Sequence, residues 1–231
     1  MPHDASARVT VSVLKRLSAR LPATAQTELR RLYFRRQIRA RRFYTDEKEY
    51  ALLDRLIAAG DWVLDIGANV GHYTMRMSEL AGVTGRVIAC EPVPQTFALL
   101  CANARLFAHD NVSLLNVAVS DRTGACGIDL PHFTGHLVNY YQAHLTQGEA
   151  GLTVLTVALD ALMLPPIKLA KIDVEGHELP VLRGMRGILE RDHPTLIVET
   201  GAQETLEFLR ALSYSIERLA GSSNVLCKPA D

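Results

Sequence analysis

Apolar runs of strand length alternate with helical patterns over most of the chain. The runs WVLDI, RVIAC, SLLNVAV, LTVLTV, LAKIDV and TLIVE each predict a strand. Apolar residues recur at helical spacing from Tyr50 to Ile57, ahead of Gly60, and then between the strands over about 70–80, 95–108, 178–191 and 204–212. Two shorter strand candidates, SIERL and NVLCK, follow the last of these helices. This alternation predicts an α/β fold with a doubly wound, mostly parallel sheet that is covered on both faces.

Acidic residues stand where the predicted strands end. Ligands of doubly wound sheets bind beyond the carboxyl ends of the strands, so these are the positions at which to look for a site. The strand-end acids are Asp65, Glu91, Asp121, Asp173 with Glu175, and Glu199. They predict a ligand site that is rich in carboxylates.

The turn after the first strand resembles a dinucleotide-binding fingerprint but departs from it. In G-x-G-x-x-G, backbone N–H groups at a helix N-terminus hold a pyrophosphate. Gly67 fits the first glycine, whereas Asn69 and His72 stand where the second and third belong. Asp65, at the mouth of the strand, would repel a phosphate. We therefore expect a ligand that is cationic and has no phosphate at this turn.

The second strand end adds a ribose-binding signal. Glu91 follows the glycine turn by roughly 20 residues, the separation at which an acid accepts hydrogen bonds from ribose hydroxyls. Ser120 or Asp121 is placed to approach an adenine edge, although Asp121 fits a plain turn before Gly124 equally well. S-adenosylmethionine combines free ribose hydroxyls, a sulfonium and an α-ammonium, so it meets both demands.

The same motifs carry a family resemblance. The strings DIGANVGHYT, EPVP, NVAVSD and KIDVEGHELPVLRG, in this order, resemble the FkbM family of S-adenosylmethionine-dependent methyltransferases. The resemblance covers roughly residues 50–217, and IDVEGHE is its most specific element. It implies a class I methyltransferase (Rossmann-like) fold with a seven-stranded sheet and an antiparallel edge strand. It also implies transfer of a methyl group to hydroxyl oxygens of sugars or natural products.

These considerations assign a role to each candidate residue. Asp173, Glu175 and His177 are the candidates for the base that takes the acceptor's proton. The alternative is a divalent metal ion on Asp173, Glu175 and Glu199, and an ion pair between Asp173 and Lys171 is the structural reading. The predicted cofactor-binding residues are Asp65, Gly67, Ala68, Asn69, Gly71, Tyr73, Thr74, Glu91, Pro92, Ser120, Asp121 and Asp173. His136, Tyr140 and Tyr141, in a loop-like insertion at 131–151, are the predicted substrate residues.

Charge divides the 231 residues into two parts. The formal net charge is zero, which argues against a dedicated nucleic-acid binder. Residues 1–43 nevertheless contain eleven Lys and Arg against two acids, so this arm carries +9 and the remainder −9. We expect a basic helical extension over 1–45 and a methyltransferase domain over 46–231.

The basic arm leaves the choice of partner open. Its candidates are the acidic body of the same chain, an anionic membrane surface, RNA, or another subunit of a homo-oligomer. An RNA methyltransferase or RNA-binding protein is thus the alternative function, although the catalytic sets N/D-P-P-Y and K-D-K-E are absent from the sequence. Four widely spaced cysteines, with no signal-peptide core and no apolar run of membrane-spanning length, predict a cytoplasmic protein.

Overall fold

The computed structural model describes residues 22–129, 144–146 and 152–230. Its helices are α1 (Ala23–Arg39), α2 (Leu53–Leu56), α3 (His72–Ala81), α4 (Pro94–Ala104), α5 (Glu178–Gly184), α6 (Arg186–Asp192) and α7 (Gln203–Ala211), with 3-10 turns at Lys48–Leu52 and Leu159–Ala161. Its strands are β1 (Trp62–Ile66), β2 (Arg86–Cys90), β3 (Val112–Leu115), β4 (Ala118–Val119), β5 (Gly124–Asp129), β6 (His144–Thr146), β7 (Leu152–Val157), β8 (Ile167–Ile172), β9 (Thr195–Glu199), β10 (Tyr214–Arg218) and β11 (Asn224–Pro229).

Seven of these strands form the main sheet, in the order β10-β11-β9-β8-β1-β2-β3. Strands β3, β2, β1, β8 and β9 are all parallel, and β11 is antiparallel to both β9 and β10. The predicted mostly parallel, seven-stranded sheet is confirmed. The antiparallel strand was expected at the edge, but it lies one position in from the edge. The turn after β10 folds the chain back, so β11 inserts between β9 and β10.

Alternate residues of the central strands enter two separate cores. On one face, Leu64 and Ile172 pack with apolar residues of α5, α6 and α7. On the other face, Val63 and Leu169 pack with residues of α2 and α3. Because successive side chains of a strand point to opposite faces, continuous apolar runs indicate burial on both sides. The helical layers thus hold the strand ends in fixed positions.

A second, four-stranded sheet differs from the sequence-based expectation. Its order is β4-β7-β5-β6. The run LTVLTV forms β7 of this sheet and not a strand of the main one, and SLLNVAV is divided into β3 and β4. Asn116 stands at the division, where its amide donates to the carbonyls of Glu91 and Pro92. An apolar pattern predicts a strand but does not reveal which sheet the strand joins.

Two predicted helices are also modified. The helix expected over 178–191 is interrupted between α5 and α6, where Met185 has a φ of −124° and a fully buried side chain. The helical spacing from Tyr50 onward gives a 3-10 turn followed by the short α2. In both places, tertiary packing decides the local backbone over helical periodicity.

The described part of the basic arm includes a helix that contacts the body through apolar side chains. Phe34 of α1 and Phe43 share a buried cluster with Val70 and Leu99. The ring of His72 stacks on Phe43, with centroids 4.1 Å apart. Charge complementarity with the acidic body stays a prediction, because the contacts described here are apolar.

None of the helices in the described part of the chain combines the length and the apolar character that crossing a bilayer requires.

Candidate active site

The carboxyl ends of the central strands border a cavity of about 810 Å³. A volume of this size fits the range of small-molecule and cofactor sites. Of the predicted cofactor, catalytic and metal residues, those that line it are Gly67, Asn69, Glu91, Pro92, Asp173, Glu175, His177 and Glu199. The cavity therefore lies where the doubly wound topology places ligands.

The glycine turn ties three strand ends together. The N–H groups of Gly67 and Ala68 both donate to the carbonyl of Cys90, each at 2.9 Å. Gly67 has a φ of +82°, and a Cβ at this position would lie 1.8 Å from the carbonyl oxygen of Asp173. Any other side chain would force the ends of β1 and β8 apart. Glycine is required here for backbone approach as well as for conformation.

Glu91 connects the turn to the end of β2. One carboxylate oxygen accepts from the N–H of Asn69 at 3.0 Å, and the other accepts from the N–H of Val93 at 2.9 Å. The side chain is 6% exposed, and burial raises the pKa of Glu91 to about 7, against the effect of both hydrogen bonds. Each carboxylate oxygen has a further lone pair, so Glu91 can still accept hydrogen bonds from a ligand.

Asp65 stands behind the cavity wall. It is buried, and one oxygen accepts from the hydroxyl of Thr74 at 2.5 Å. The other oxygen has no hydrogen-bond partner within the described residues. Burial raises the pKa of Asp65, while the nearby Lys171 ammonium and Thr74 oppose the shift. Direct contact between Asp65 and a cofactor stays a prediction, since the described lining of the cavity does not include Asp65.

Lys171 is a buried cation that pairs with Asp173. Its ammonium lies 2.7 Å from a carboxylate oxygen of Asp173 and 4.4 Å from the centroid of the Tyr73 ring. Burial opposes ionisation of Asp173, but Lys171 and a hydrogen bond with Glu199 outweigh it and lower the pKa of Asp173. The ion pair that the sequence suggested is therefore present, and it leaves Asp173 on the cavity wall.

Three acids of the predicted catalytic and metal sets come together. Oxygen atoms of Asp173, Glu175 and Glu199 all lie within 4.8 Å of one another. Strand β8 ends at Ile172, so the spacing of Asp173 and Glu175 is set by a turn, in which Glu175 has a φ of +50°. The hydrogen bond with Asp173, and then burial, raise the pKa of Glu199 to about 7. The group can hold a proton or a cation.

His177 contacts Ser120, one of the two residues that the sequence predicts near an adenine. Its Nε2 is 2.9 Å from the hydroxyl of Ser120, which in turn contacts Asp121. Burial lowers the pKa of His177, and the Asp121 charge opposes this shift. The cavity lining includes His177 but not Ser120 or Asp121. We therefore expect His177 to lie near the nucleoside of a bound cofactor, and its role as a base stays a prediction.

The cavity also has a polar wall whose residues are not among the predicted site residues. Glu49, in the 3-10 turn, accepts from the hydroxyl of Ser222 at 3.1 Å and from the amide of Asn224. All three residues line the cavity, together with Glu47, whose carboxylate accepts from the Tyr73 hydroxyl at 2.7 Å. No strand-end motif marks Glu49, and the antiparallel direction of β11 brings the start of that strand to this edge. The sequence carries no local signal for this wall, because the burial of Glu49 follows from the tertiary fold.

The predicted substrate residues His136, Tyr140 and Tyr141 lie outside the described residues. The strand that leads into this segment contributes Ile128 to the cavity lining. Ile128 packs with Val93, Ala118 and Val154. The second sheet thus forms part of the wall.

Several known proteins are similar to this chain. It is 31% identical over 134 residues to the hexuronic acid methyltransferase AglP of Haloferax volcanii, a match that covers 56% of this chain and 52% of AglP. The structure of the FkbM methyltransferase from Methylobacillus flagellatus KT matches with a TM-score of 0.52 at 15% identity, over 73% of this chain and 43% of that one. An S-adenosylmethionine-dependent O-methyltransferase from Thermotoga maritima has a TM-score of 0.50 at 12% identity, over 81% and 66%. The chain thus spans about half the length of its curated relative.

The structural likenesses establish the class I methyltransferase fold and no more, because their sequence identities are low. The family assignment rests on the sequence itself. The domain described as "Methyltransferase FkbM domain" matches residues 65–216, which include the glycine turn, Glu91 and the Asp173 turn. This chain belongs to the FkbM methyltransferase family.

Proposed function

We propose that this protein transfers the methyl group of S-adenosylmethionine to a hydroxyl oxygen of a sugar or a similar small molecule. The observation that carries the proposal is one cavity lined by two sets of residues. The Gly67 turn and Glu91 line it, and so do the paired acids Asp173 and Glu199. The curated relative is a hexuronic acid methyltransferase, which supports a sugar as the acceptor.

The residues of the cavity fit S-adenosylmethionine. Glu91 offers carboxylate lone pairs for ribose hydroxyls, as the sequence predicts. The side-chain oxygen of Asn69, which lines the cavity, has no partner within the described residues, so it can accept a hydrogen bond from an ammonium group. The close approach of Gly67 to the Asp173 backbone brings the ends of β1 and β8 together, so that Asn69 and Asp173 line the same cavity. The acidic surroundings suit a sulfonium and would oppose a pyrophosphate.

When bound, S-adenosylmethionine supplies a methyl group on a positively charged sulfur. The protein has to position the acceptor oxygen and exclude water, and catalysis by such positioning can lower a barrier by several kcal/mol. We assign orientation of the ribose to Glu91. Lys171 orients the carboxylate of Asp173 through the 2.7 Å contact. The apolar side chains Val93, Val119 and Ile128 restrict water on the nucleoside side.

The acceptor hydroxyl has to lose its proton as the new bond forms. We assign its uptake to the Asp173–Glu199 pair, since these carboxyl groups already share a hydrogen bond and line the cavity. A base with a pKa near the working pH is the most effective at this task. The pKa of Glu199, about 7, meets that condition.

The proposal is tested by transfer of labelled methyl from S-adenosylmethionine into fractionated extract of the source organism. The blank is Asp173→Asn, which keeps the side-chain shape and can be checked separately for folding and for binding of S-adenosylhomocysteine. Asp65→Ala is a poorer blank, because Asp65 is 1% exposed and its removal would disturb the core. Label in glycan, lipid or small-molecule fractions, absent from the blank, is the expected result. If no fraction of the extract receives label, the proposed methyl transfer is contradicted.

A second candidate acceptor is RNA. It is favoured by the exposed arginines Arg35, Arg36 and Arg39 on α1, which could contact phosphates. The acidic cavity argues against it, since carboxylates repel a phosphate backbone. Label that disappears on nuclease treatment, with binding that weakens steeply as salt rises, would establish RNA as the acceptor.

A further inference from the structure

The cavity is lined by an excess of acids. Seven carboxyl side chains belong to its described lining, whereas its basic side chains there are Lys48 and His177. The ammonium of Lys48 donates to the carbonyl of Ala220, which forms part of the rim near Gly221. The described lining therefore offers little compensation for the negative charge.

Part of this charge has a partner that is already assigned. The Glu91 carboxylate accepts two backbone N–H groups, Asp173 pairs with Lys171, and Glu199 accepts from Ser223 at 2.6 Å. Asp46, Glu47 and Glu49 are three further acids of the described lining, and the hydroxyl and amide groups that donate to Glu47 and Glu49 are neutral. One S-adenosylmethionine, with a net charge of about +1, does not neutralise them.

A second feature of the polar wall points to a hydrogen-bond donor. Glu49 is 0% exposed, and its second carboxylate oxygen has no partner within the described residues. Asn224, 6% exposed and adjacent to Glu49, has an unpartnered amide oxygen. Buried acceptors without a donor are costly, so a ligand with N–H or O–H groups would stabilise this wall.

We propose that this wall is the acceptor subsite and that it selects by charge: a sugar with an amino group is preferred, a neutral sugar follows, and a sugar with a carboxylate is rejected. The inference rests on the proposed sugar acceptor and deepens it. It separates this chain from its relative, whose acceptor is a hexuronic acid. A carboxylate would meet like charges at Asp46, Glu47 and Glu49, whereas an ammonium would pair with them.

The test uses three ligands of similar shape and different charge: the methyl glycosides of D-glucosamine, D-glucose and D-glucuronic acid. Their affinities are measured by calorimetry on the full chain saturated with S-adenosylhomocysteine, so no turnover is needed. The expected order is glucosaminide, glucoside, glucuronide, with about fivefold lost per unit of charge at low salt and less at high salt. Preference for the glucuronide, or equal affinity for all three, would overturn the proposal.

A variant pair identifies the wall. Asp46→Lys changes an exposed residue of the cavity lining, and Glu217→Lys makes the same change in charge on the exposed part of β10. We expect Asp46→Lys to compress or reverse the order and Glu217→Lys to leave it intact. If neither variant alters the order, the wall is not the subsite. If none of the glycosides binds while S-adenosylhomocysteine still does, the sugar subsite is excluded and the cofactor assignment stands.

Discussion

The carboxyl groups of Asp173 and Glu199 share a hydrogen bond at the ends of the neighbouring strands β8 and β9. The two acids differ in surroundings. Lys171 stabilises the ionised form of Asp173, whereas Glu199 has the hydroxyl of Ser223 as its other neighbour. The pair therefore holds one proton, most of it on Glu199, up to about pH 7.

This pair predicts how the rate of methyl transfer depends on pH. The proton has to leave before the pair can accept another from the acceptor, so kcat should rise as the pH rises through about 7 and level off above it. In Glu199→Gln, which cannot titrate, the rise near pH 7 should disappear and kcat should fall by about 10²- to 10⁴-fold. Steady-state kinetics from pH 5.5 to 9 would show it. A rise near pH 7 that persists in the variant would contradict the assignment.

Glu91 predicts a separate pH effect on cofactor binding. Its pKa of about 7 in the free protein means that acid protonates it, and a protonated carboxyl accepts ribose hydroxyls poorly. The affinity for S-adenosylhomocysteine should therefore be complete above pH 8 and fall by up to about tenfold per unit below pH 7. Calorimetry at several pH values measures this. Glu91→Gln should bind more weakly at pH 8 and lose the slope, whereas Glu199→Gln should keep it.

Replacing Lys171 should lower the folding stability more than replacing Lys168, an exposed residue of the same strand. Lys171→Met leaves Asp173 without its cation in a largely buried position, so we expect roughly 3 kcal/mol lower stability. Lys168→Met, on the same strand but exposed, should change stability by less than about 0.5 kcal/mol. Urea denaturation at pH 7 measures both. Adding Asp173→Asn to Lys171→Met should recover part of the loss, and strictly additive effects would show that the two side chains are not coupled.

The central sheet and the acids at its strand ends could be predicted because each has a local signal. Buried parallel strands are continuous apolar runs, and the acids Asp65, Glu91, Asp173 and Glu199 stand at or next to their carboxyl ends. The spacing between Gly67 and Glu91 is a local property of one strand–helix–strand unit. Sequence reasoning reaches such features without knowledge of the tertiary fold.

The polar wall that contains Glu49 and Asn224 could not be predicted, because it is formed by residues that are distant in the sequence. Glu49 and Asn224 are 175 residues apart and meet because β11 runs antiparallel to its neighbours. The membership of LTVLTV in the second sheet depends in the same way on a pairing with β5 and β4. Likewise, the apolar spacing of α1 predicts a helix, whereas its contact with Val70 and Leu99 depends on where α4 packs.

The packing of α1 predicts that the described part of the arm contributes to folding stability. Phe34 is 7% exposed in its apolar cluster, so Phe34→Ala should lower the free energy of unfolding by roughly 3 kcal/mol. Tyr33 is adjacent in sequence and 57% exposed, and Tyr33→Ala should have little effect. Denaturant unfolding compares the two variants. Equal stability of Phe34→Ala and the unmodified protein would mean that the arm unfolds independently of residues 46–231.

The acids Asp173, Glu175 and Glu199 also lead to a prediction about metal dependence. Their oxygens are close enough to surround one divalent ion, which would relieve their repulsion. Lys171 and the proton shared with Glu199 already provide that relief, so we expect methyl transfer to survive dialysis against EDTA with less than about a twofold change. The same assay with added Mg²⁺, Mn²⁺ or Ca²⁺ serves as the comparison. Loss of activity on chelation, restored by one of these ions and abolished again by Glu175→Gln, would show that the reaction depends on a metal ion that lowers the pKa of the acceptor hydroxyl, and not on proton uptake by the carboxyl pair alone.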